Sequence, residues 1–360
     1  KMASWLEALG FVIQGDSVTA PSWRRDVTCQ HDLAEEVARF WGYDNIPSTI
    51  IHGEAKARPT EEQRFVRGIH QALLAQGLNE IITYSFISPK SYDQILLPED
   101  SPLRRSVVIL NPLGEDTGVM RTTALPSMLD TLARNYRARS ESARLYELAT
   151  EYLPTEEGKL PNELQKIVIG LYGPQEDFFT LKGTVEALLE QARVSDWEAH
   201  PVKDNPLFHP GRCARLQAGD VTLGLIGQVH PAVADNYKVD VPLYLAHIDL
   251  AALLEKTGGS PVYQPLPRFP VSTRDLALVC GEKVSNAQIT ITMKKAMGKL
   301  LADWQLFDVY RSERLGAGKK SLAYALTLRA EDRTLTDEEC DRAVAKALKA
   351  LEEIGVFLRQ

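Results

Sequence analysis

Nowhere in the 360 residues is there an uncharged apolar run of about 18 residues, which excludes a membrane-spanning helix. The four cysteines, Cys29, Cys213, Cys280 and Cys340, are scattered and form no CxxC pair. That excludes a zinc knuckle or a thioredoxin-type site and leaves no disulfide framework. A reducing cytoplasm is therefore the expected compartment. The seven histidines include no HExxH, and no GxGxxG or GxxxxGK[ST] loop occurs, so neither a zincin nor a common phosphate-binding loop is present. The first residues run directly into a helical pattern without the apolar core of a signal peptide, which suggests a chain cut from something longer.

What the chain does contain is a folded protein's balance, with 44% hydrophobic and 25% charged residues, enough for two or three domains with their own cores. The formal charge is −7, unevenly spread. Residues 264–360 hold 16 basic and 13 acidic side chains, whereas 1–263 hold 25 and 35. A mildly basic end on an acidic body points weakly to an anionic partner there.

Three units are expected, at 1–50, 60–255 and 264–360. In the first, Leu6, Leu9 and Phe11 close a short helix that Gly10 stops, Val18-Thr19-Ala20 reads as a strand, and a helix covers about 32–42. In the second, Thr60-Glu61-Glu62-Gln63 is a capping box before the stripe of Phe65, Ile69 and Leu73. Strands are expected at 80–86, 107–110, 143–149, 166–172, 213–217 and 221–229, with helices at 125–139 and 178–193. This is an α+β pattern built on an antiparallel sheet. The third reads β-α-β-β-α-β, the ferredoxin-like order. Its strands fall at 274–280, 304–311, 319–329 and 356–359, and its helices at 286–302 and from Thr336 to about 354. Pro261, Pro265, Pro267 and Pro270 mark the linker before it.

Asp26, Asp32, Glu35 and Glu36 are four carboxylates within eleven residues, the oxygen ligands that a hard divalent cation takes. The same residues can equally be helix caps, with Asp32 at the N-cap and Glu35 three residues on. Glu35 and Glu36 are adjacent and point about 100° apart on a helix. Arg134, Arg137 and Arg139 on the 125–139 helix suit an RNA phosphate or an acidic partner, or else a solvated face. In the third unit, Leu322, Tyr324, Leu326 and Leu328 face the core, and Ser321, Ala323, Ala325 and Thr327 the other side. Those small residues are not the stacking aromatics of an RRM. RNA contacts are therefore expected from Arg311, Arg314, Lys319, Lys320 and Arg333 in loops and edges.

The order of motifs adds a further reading. Pro21-Ser22-Trp23-Arg24-Arg25-Asp26 with Asp32–Arg39 looks like a B5 domain. Asn111-Pro112-Leu113, Met120-Arg121-Thr122, Phe178–Gly183, His209-Pro210-Gly211-Arg212 and Gly224–Pro231 look like a class II synthetase core. Arg274–Leu278, Phe307–Tyr310, Lys319–Ala323 and Asp332–Thr336 look like an anticodon-binding domain. Together they resemble the C-terminal half of the bacterial phenylalanyl-tRNA synthetase beta-subunit family. The resemblance implies a multidomain α+β chain: a small B5-like unit, a catalytically inactive class II core and a C-terminal ferredoxin-like domain. It implies a place in an alpha2beta2 ligase that charges tRNA(Phe) using ATP and Mg²⁺. ATP and the chemistry belong mainly to the alpha subunit, and no membrane is involved. The class II signature GxGxGxER is absent, so no catalytic residue is assigned. The family's Mg²⁺-binding carboxylates fall on Asp26, Asp32, Glu35 and Glu36. The family's editing part is not expected in this stretch. A free-standing RNA- or DNA-binding protein is the alternative, opposed by the acidic body. An independent hydrolase lacks a readable nucleophile–base set.

Overall fold

The computed structural model describes residues 1–50, 52–53, 57–156, 158–259, 263, 265–312, 315–316 and 318–359. Two compact units are present, Lys1–Pro59 and Thr60–Gln360.

The first unit opens with α1 (Met2–Ala8), which ends before Gly10 at φ +91°. The hairpin β1 (Val12–Gln14) and β2 (Ser17–Thr19) follows, with Gln14 opposite Ser17 across Gly15-Asp16. Gly15 at φ +60° provides the positive dihedral that so short a turn needs. The helix α2 (Gln30–Trp41) completes the unit. It starts earlier than the sequence suggested. Cys29 is its N-cap, and Asp32 sits at the third helical position, where Oδ2 accepts the backbone N–H of Thr28 (2.7 Å) and Cys29 (2.9 Å).

The second unit begins with α3 (Glu61–Ala75), closed by the expected reciprocal cap. Thr60 Oγ1 accepts from Gln63 N, and Gln63 Oε1 accepts from Thr60 N. Short pieces follow: β3 (Asn79–Glu80), β4 (Phe86–Ile87), α4 (Ser91–Gln94) and β5 (Val119–Met120). The expected strand at 80–86 is thus interrupted, and the one at 107–110 is reduced to a bridge between Val108 and Val119. Then come α5 (Leu125–Arg137), β6 (Ala143–Leu153), β7 (Asn162–Tyr172), α6 (Phe178–Gln191), β8 (Trp197–Pro201), β9 (Phe208–Ala218), β10 (Val221–Val229), α7 (Pro231–Asn236), β11 (Tyr244–Asp249) and α8 (Leu250–Lys256).

The seven-stranded sheet has the order β3-β6-β7-β11-β10-β9-β8 and is antiparallel except for β3 beside β6. Its period-2 alternation feeds two cores. Ile167 and Ile169 pack under α3, α6 and α8 on one face, and Val168 packs with α5 and α7 on the other. Gly170 allows α5 to lie directly on the strand. A Cβ there would stand 2.7 Å from Met128 Sδ and 2.9 Å from Leu132 Cδ1.

Residues from 272 onward make the expected ferredoxin-like fold: β12 (Ser272–Gly281), α9 (Asn286–Met297), β13 (Leu301–Tyr310), β14 (Lys319–Leu328), α10 (Asp337–Glu352) and β15 (Phe357–Leu358). Strand order is β13-β14-β12-β15. Leu322, Tyr324, Leu326 and Leu328 are buried in its core, as their spacing requires. Pro261 lies outside the described residues. No helix among the described residues is long and apolar enough to cross a membrane.

Candidate nucleic-acid interface and carboxylate cluster

The four clustered carboxylates do not converge. Glu36 is buried at 6% exposure and is clamped by two guanidinium groups. Arg24 Nη2 donates to Oε1 at 2.8 Å and Arg39 Nη2 donates to Oε2. Arg24 also binds Asp26 through two nitrogens, Nε to Oδ1 at 3.0 Å and Nη2 to Oδ2 at 2.7 Å. Asp32 serves the start of α2, and Glu35 is exposed. The divergence of Glu35 and Glu36 is that of neighbours on a helix. Among the described residues no group of three or more His, Cys, Asp or Glu side chains is placed to hold one metal ion. As a set of four direct ligands, these residues therefore do not fit a single cation.

The clamp carries a pH dependence. Hydrogen bonds from Arg24, then Arg39, hold the Glu36 carboxyl down at about 2 against an ordinary 4.5. A depressed carboxyl contributes stability that is complete above the ordinary value and is lost as pH falls through the folded one. In an acid titration followed by tryptophan fluorescence, the difference between wild type and Glu36→Gln should be constant above about pH 4.5. It should disappear between there and about pH 2. Superimposable curves for the two proteins would show that the clamp does not hold this unit together.

The basic residues expected to meet RNA are largely engaged within the protein. Arg311 Nε donates to Glu282 Oε1 at 2.8 Å, and Lys320 Nζ donates to the Glu282 carbonyl at 3.1 Å. Arg333 binds Asp332 and Glu339, the second at 2.7 Å. Its guanidinium and the backbone of Thr336 hold the Glu339 carboxyl below its ordinary value. Lys319 is exposed at the start of β14 with no such partner among the described residues, and Arg314 lies outside them.

A different feature occupies the outer face of the four-stranded sheet. Tyr310 pairs with Ser321, Ser321 with Val279, and Val279 with Phe357, so one rung crosses all four strands. The next rung is Asp308, Ala323 and Ala277, and Arg359 N donates to the Ala277 carbonyl. The Arg359 guanidinium lies 5.2 Å from the centre of the Tyr310 ring, within cation–π range. Tyr310 and Phe357 are 40% and 55% exposed, separated by small side chains. The strand β14 indeed offers no stacking ring, but its neighbours do. Sequence reasoning passed over Tyr310 because a register shift between Leu306 and Asp308 changes which residues of β13 face outward. The available signal was the alternation Phe357, Leu358, Arg359 at the end of the chain.

In the seven-stranded domain the polar centre is buried. Arg121, 2% exposed, donates from Nη2 to Glu147 Oε1 (3.0 Å), from Nη1 to Thr83 Oγ1 (2.7 Å) and from Nε to the Thr150 carbonyl (2.9 Å). Glu151 Oε1 accepts the backbone N–H of Ala124 at 2.8 Å and meets His247 Nε2 at 2.7 Å. These bonds tie the start of α5 to the sheet. Arg121 stands in a motif read as part of a synthetase core, yet here it is fully consumed by the protein.

Comparison with known proteins follows this division. Residues 1–43 match the tRNA synthetase B5 domain, 46–250 the phenylalanyl tRNA synthetase beta chain CLM domain, and 267–359 the ferredoxin-fold anticodon binding domain. The whole chain is 43% identical to the phenylalanine–tRNA ligase beta subunit of Clostridium acetobutylicum, covering 46% of that protein. The same subunit of Clostridium tetani is 40% identical over 96% of this chain, covering 44% of the relative. That of Bacillus subtilis is 34% identical over 98%, covering 45%. The chain thus spans about half the length of the curated relatives it matches.

Proposed function

Since the chain belongs to the phenylalanyl-tRNA synthetase beta-chain family, we propose that it works in the cytoplasm as part of the non-catalytic beta subunit of a phenylalanine–tRNA ligase. In this reading the subunit partners an alpha chain in an alpha2beta2 assembly, and its terminal domain holds tRNA(Phe). The observation that carries the RNA role is the rung Tyr310, Ser321, Val279 and Phe357. Two exposed rings flank Val279 and Ser321 on this face, Ser321 itself being covered, with Arg359 over the Tyr310 ring. Aromatic side chains on such a face stack unpaired bases, whatever their sequence.

The absence of chemistry on this chain is supported by side chains that are present. Met128 and Leu132 lie against the backbone of Gly170, so α5 fills the middle of one face of the antiparallel sheet, and three helices cover the other. Arg121, in the family's core motif, is spent on Glu147, Thr83 and Thr150. ATP is accordingly used on the partner. For Mg²⁺, the two carboxylates not held by arginine are Asp32 and Glu35, three apart on α2 and hence on one face. Such an ion needs only one or two carboxylates with water. Bound there, it would neutralise Asp32 and Glu35, while Asp26 and Glu36 stay on Arg24 and Arg39.

The test is equilibrium binding of tRNA(Phe) by the full synthetase with and without residues 267–359. The deletion should weaken binding strongly, and Lys319→Ala with Lys320→Ala should flatten the salt slope by roughly 0.7 per lost phosphate contact. Unchanged affinity across salt after the deletion would remove the RNA role from this domain.

A further inference from the structure

We infer that Asp275 and Asp303 are exclusion residues: they keep an RNA backbone off one half of the outer face of the four-stranded sheet and so confine single-stranded RNA to the Tyr310–Phe357 end. This deepens, and rests on, the reading of that face as a platform for unpaired bases.

Outward side chains recur at every second residue, so the strand pairings lay out rungs about 7 Å apart. The uppermost rung carries Lys319, opposite Gly281. Next comes the rung of Tyr310 and Phe357, which has no charge. On the third, Asp308 at one edge is balanced by Arg359 at the other. On the fourth, Ala325 has Asp275 on one side and Gln305 on the other. On the fifth, Thr327 has Thr273 on one side and Asp303 on the other. The charge therefore runs from a cation at one end, through two neutral rungs, to a carboxylate on each of the last two.

Both carboxylates are exposed, and neither has a cationic partner among the described residues. Asp303 accepts the N–H of Trp304, at 2.8 Å, which leaves its charge in place. The fourth and fifth rungs offer no ring to a base and no cation to a phosphate. A strand laid along them would bring phosphates within about 7 Å of an uncompensated carboxylate, inside the roughly 10 Å over which charges act in 0.1 M salt. Nucleic-acid affinity is dominated by phosphate neutralisation, so those rungs repel the backbone while the Lys319 end attracts it. Repulsion of this kind adds specificity by weakening the wrong ligands more than the right one.

The experiment uses the full synthetase and, as probe, an oligouridylate of about twelve nucleotides, within the span that single-strand-binding folds cover. Asp275→Asn with Asp303→Asn keeps the shape of both side chains. It should tighten oligouridylate binding roughly three- to tenfold at about 50 mM salt, and less at about 200 mM. Binding of tRNA(Phe) should change less than about twofold, because a folded loop offers few unpaired bases and these already lie at the Tyr310 end. Asp275→Lys with Asp303→Lys should tighten oligouridylate further and steepen its salt slope by roughly 0.7 per phosphate met. Oligouridylate affinity unchanged in both variants would overturn the inference. If solubility alone fell, the two carboxylates would be guards of open strand edges instead. An equal gain for tRNA(Phe) and oligouridylate would also overturn it, since the residues would then act as a uniform charge penalty. Unchanged tRNA(Phe) affinity after deletion of residues 267–359 would instead overturn the RNA reading beneath it.

Discussion

Replacing Arg121 by methionine should destabilise the second unit by about 3–5 kcal/mol, because it leaves Glu147 charged, buried and without its main partner. Glu147 is 3% exposed and Arg121 is 2% exposed, so water can compensate neither. Thr83 Oγ1 would remain as a donor to Glu147, at 2.8 Å, but a hydroxyl does not neutralise a carboxylate. The Thr150 carbonyl would also lose the Nε donor. The double change Arg121→Met with Glu147→Leu should recover a large part of the loss, since an apolar pair of similar volume is often as stable as a buried ion pair. Urea unfolding of the single and double variants reads both effects. A single variant within about 1 kcal/mol of wild type would mean that Arg121 is not what holds this region. So would a double variant less stable than the single one.

The second large effect is on RNA. Tyr310→Ala and Phe357→Ala should each weaken tRNA(Phe) binding by the full synthetase by about 1–3 kcal/mol, the range for loss of one base–aromatic stack. Tyr310→Phe keeps the ring and should stay near wild type. The Tyr310 change should also release Arg359, whose guanidinium now lies over that ring. These variants should lower affinity at every salt concentration with little change in slope, because stacking releases no counterions. Lys319→Ala with Lys320→Ala should do the reverse, changing the slope more than the affinity at high salt. If Tyr310→Ala with Phe357→Ala binds as wild type does while the lysine pair matters, RNA is held by loops and edges and the sheet face is idle.

The parts of the fold legible in sequence were those set by neighbouring residues. The caps at Thr60 and Thr336 need only the right side chain three positions on, and both form. The ferredoxin-like order followed from alternation in β12 and β14. By contrast, β8 and β11 escaped notice. β11 (Tyr-Leu-Ala-His-Ile-Asp) is nearly all buried because helices cover both sides of the sheet, so it lacks a polar face to alternate with. The start of α2 was misplaced because Asp32 is a good cap residue by type, while the chain puts Cys29 there and uses Asp32 one turn later.

The candidate sites were less legible, for a physical reason. Four carboxylates within eleven residues look like one ligand set, but spacing says nothing about the charges that reach them. Arg24 and Arg39 take Asp26 and Glu36 through side-chain geometry that no periodicity encodes. The aromatic rung is likewise assembled from four strands far apart in sequence, and one irregular step in β13 decides which of its residues faces out.

Phenylalanine-dependent ATP–pyrophosphate exchange separates a non-catalytic chain from a catalytic one. It should be measured on the full-length form of this chain alone, on the alpha chain proposed to partner it alone, and on the two together. No exchange is expected from this chain by itself, and exchange by the assembled pair should survive Arg121→Lys in this chain to the extent that the protein stays folded. Exchange by this chain alone at the rate of the assembled enzyme would contradict that expectation.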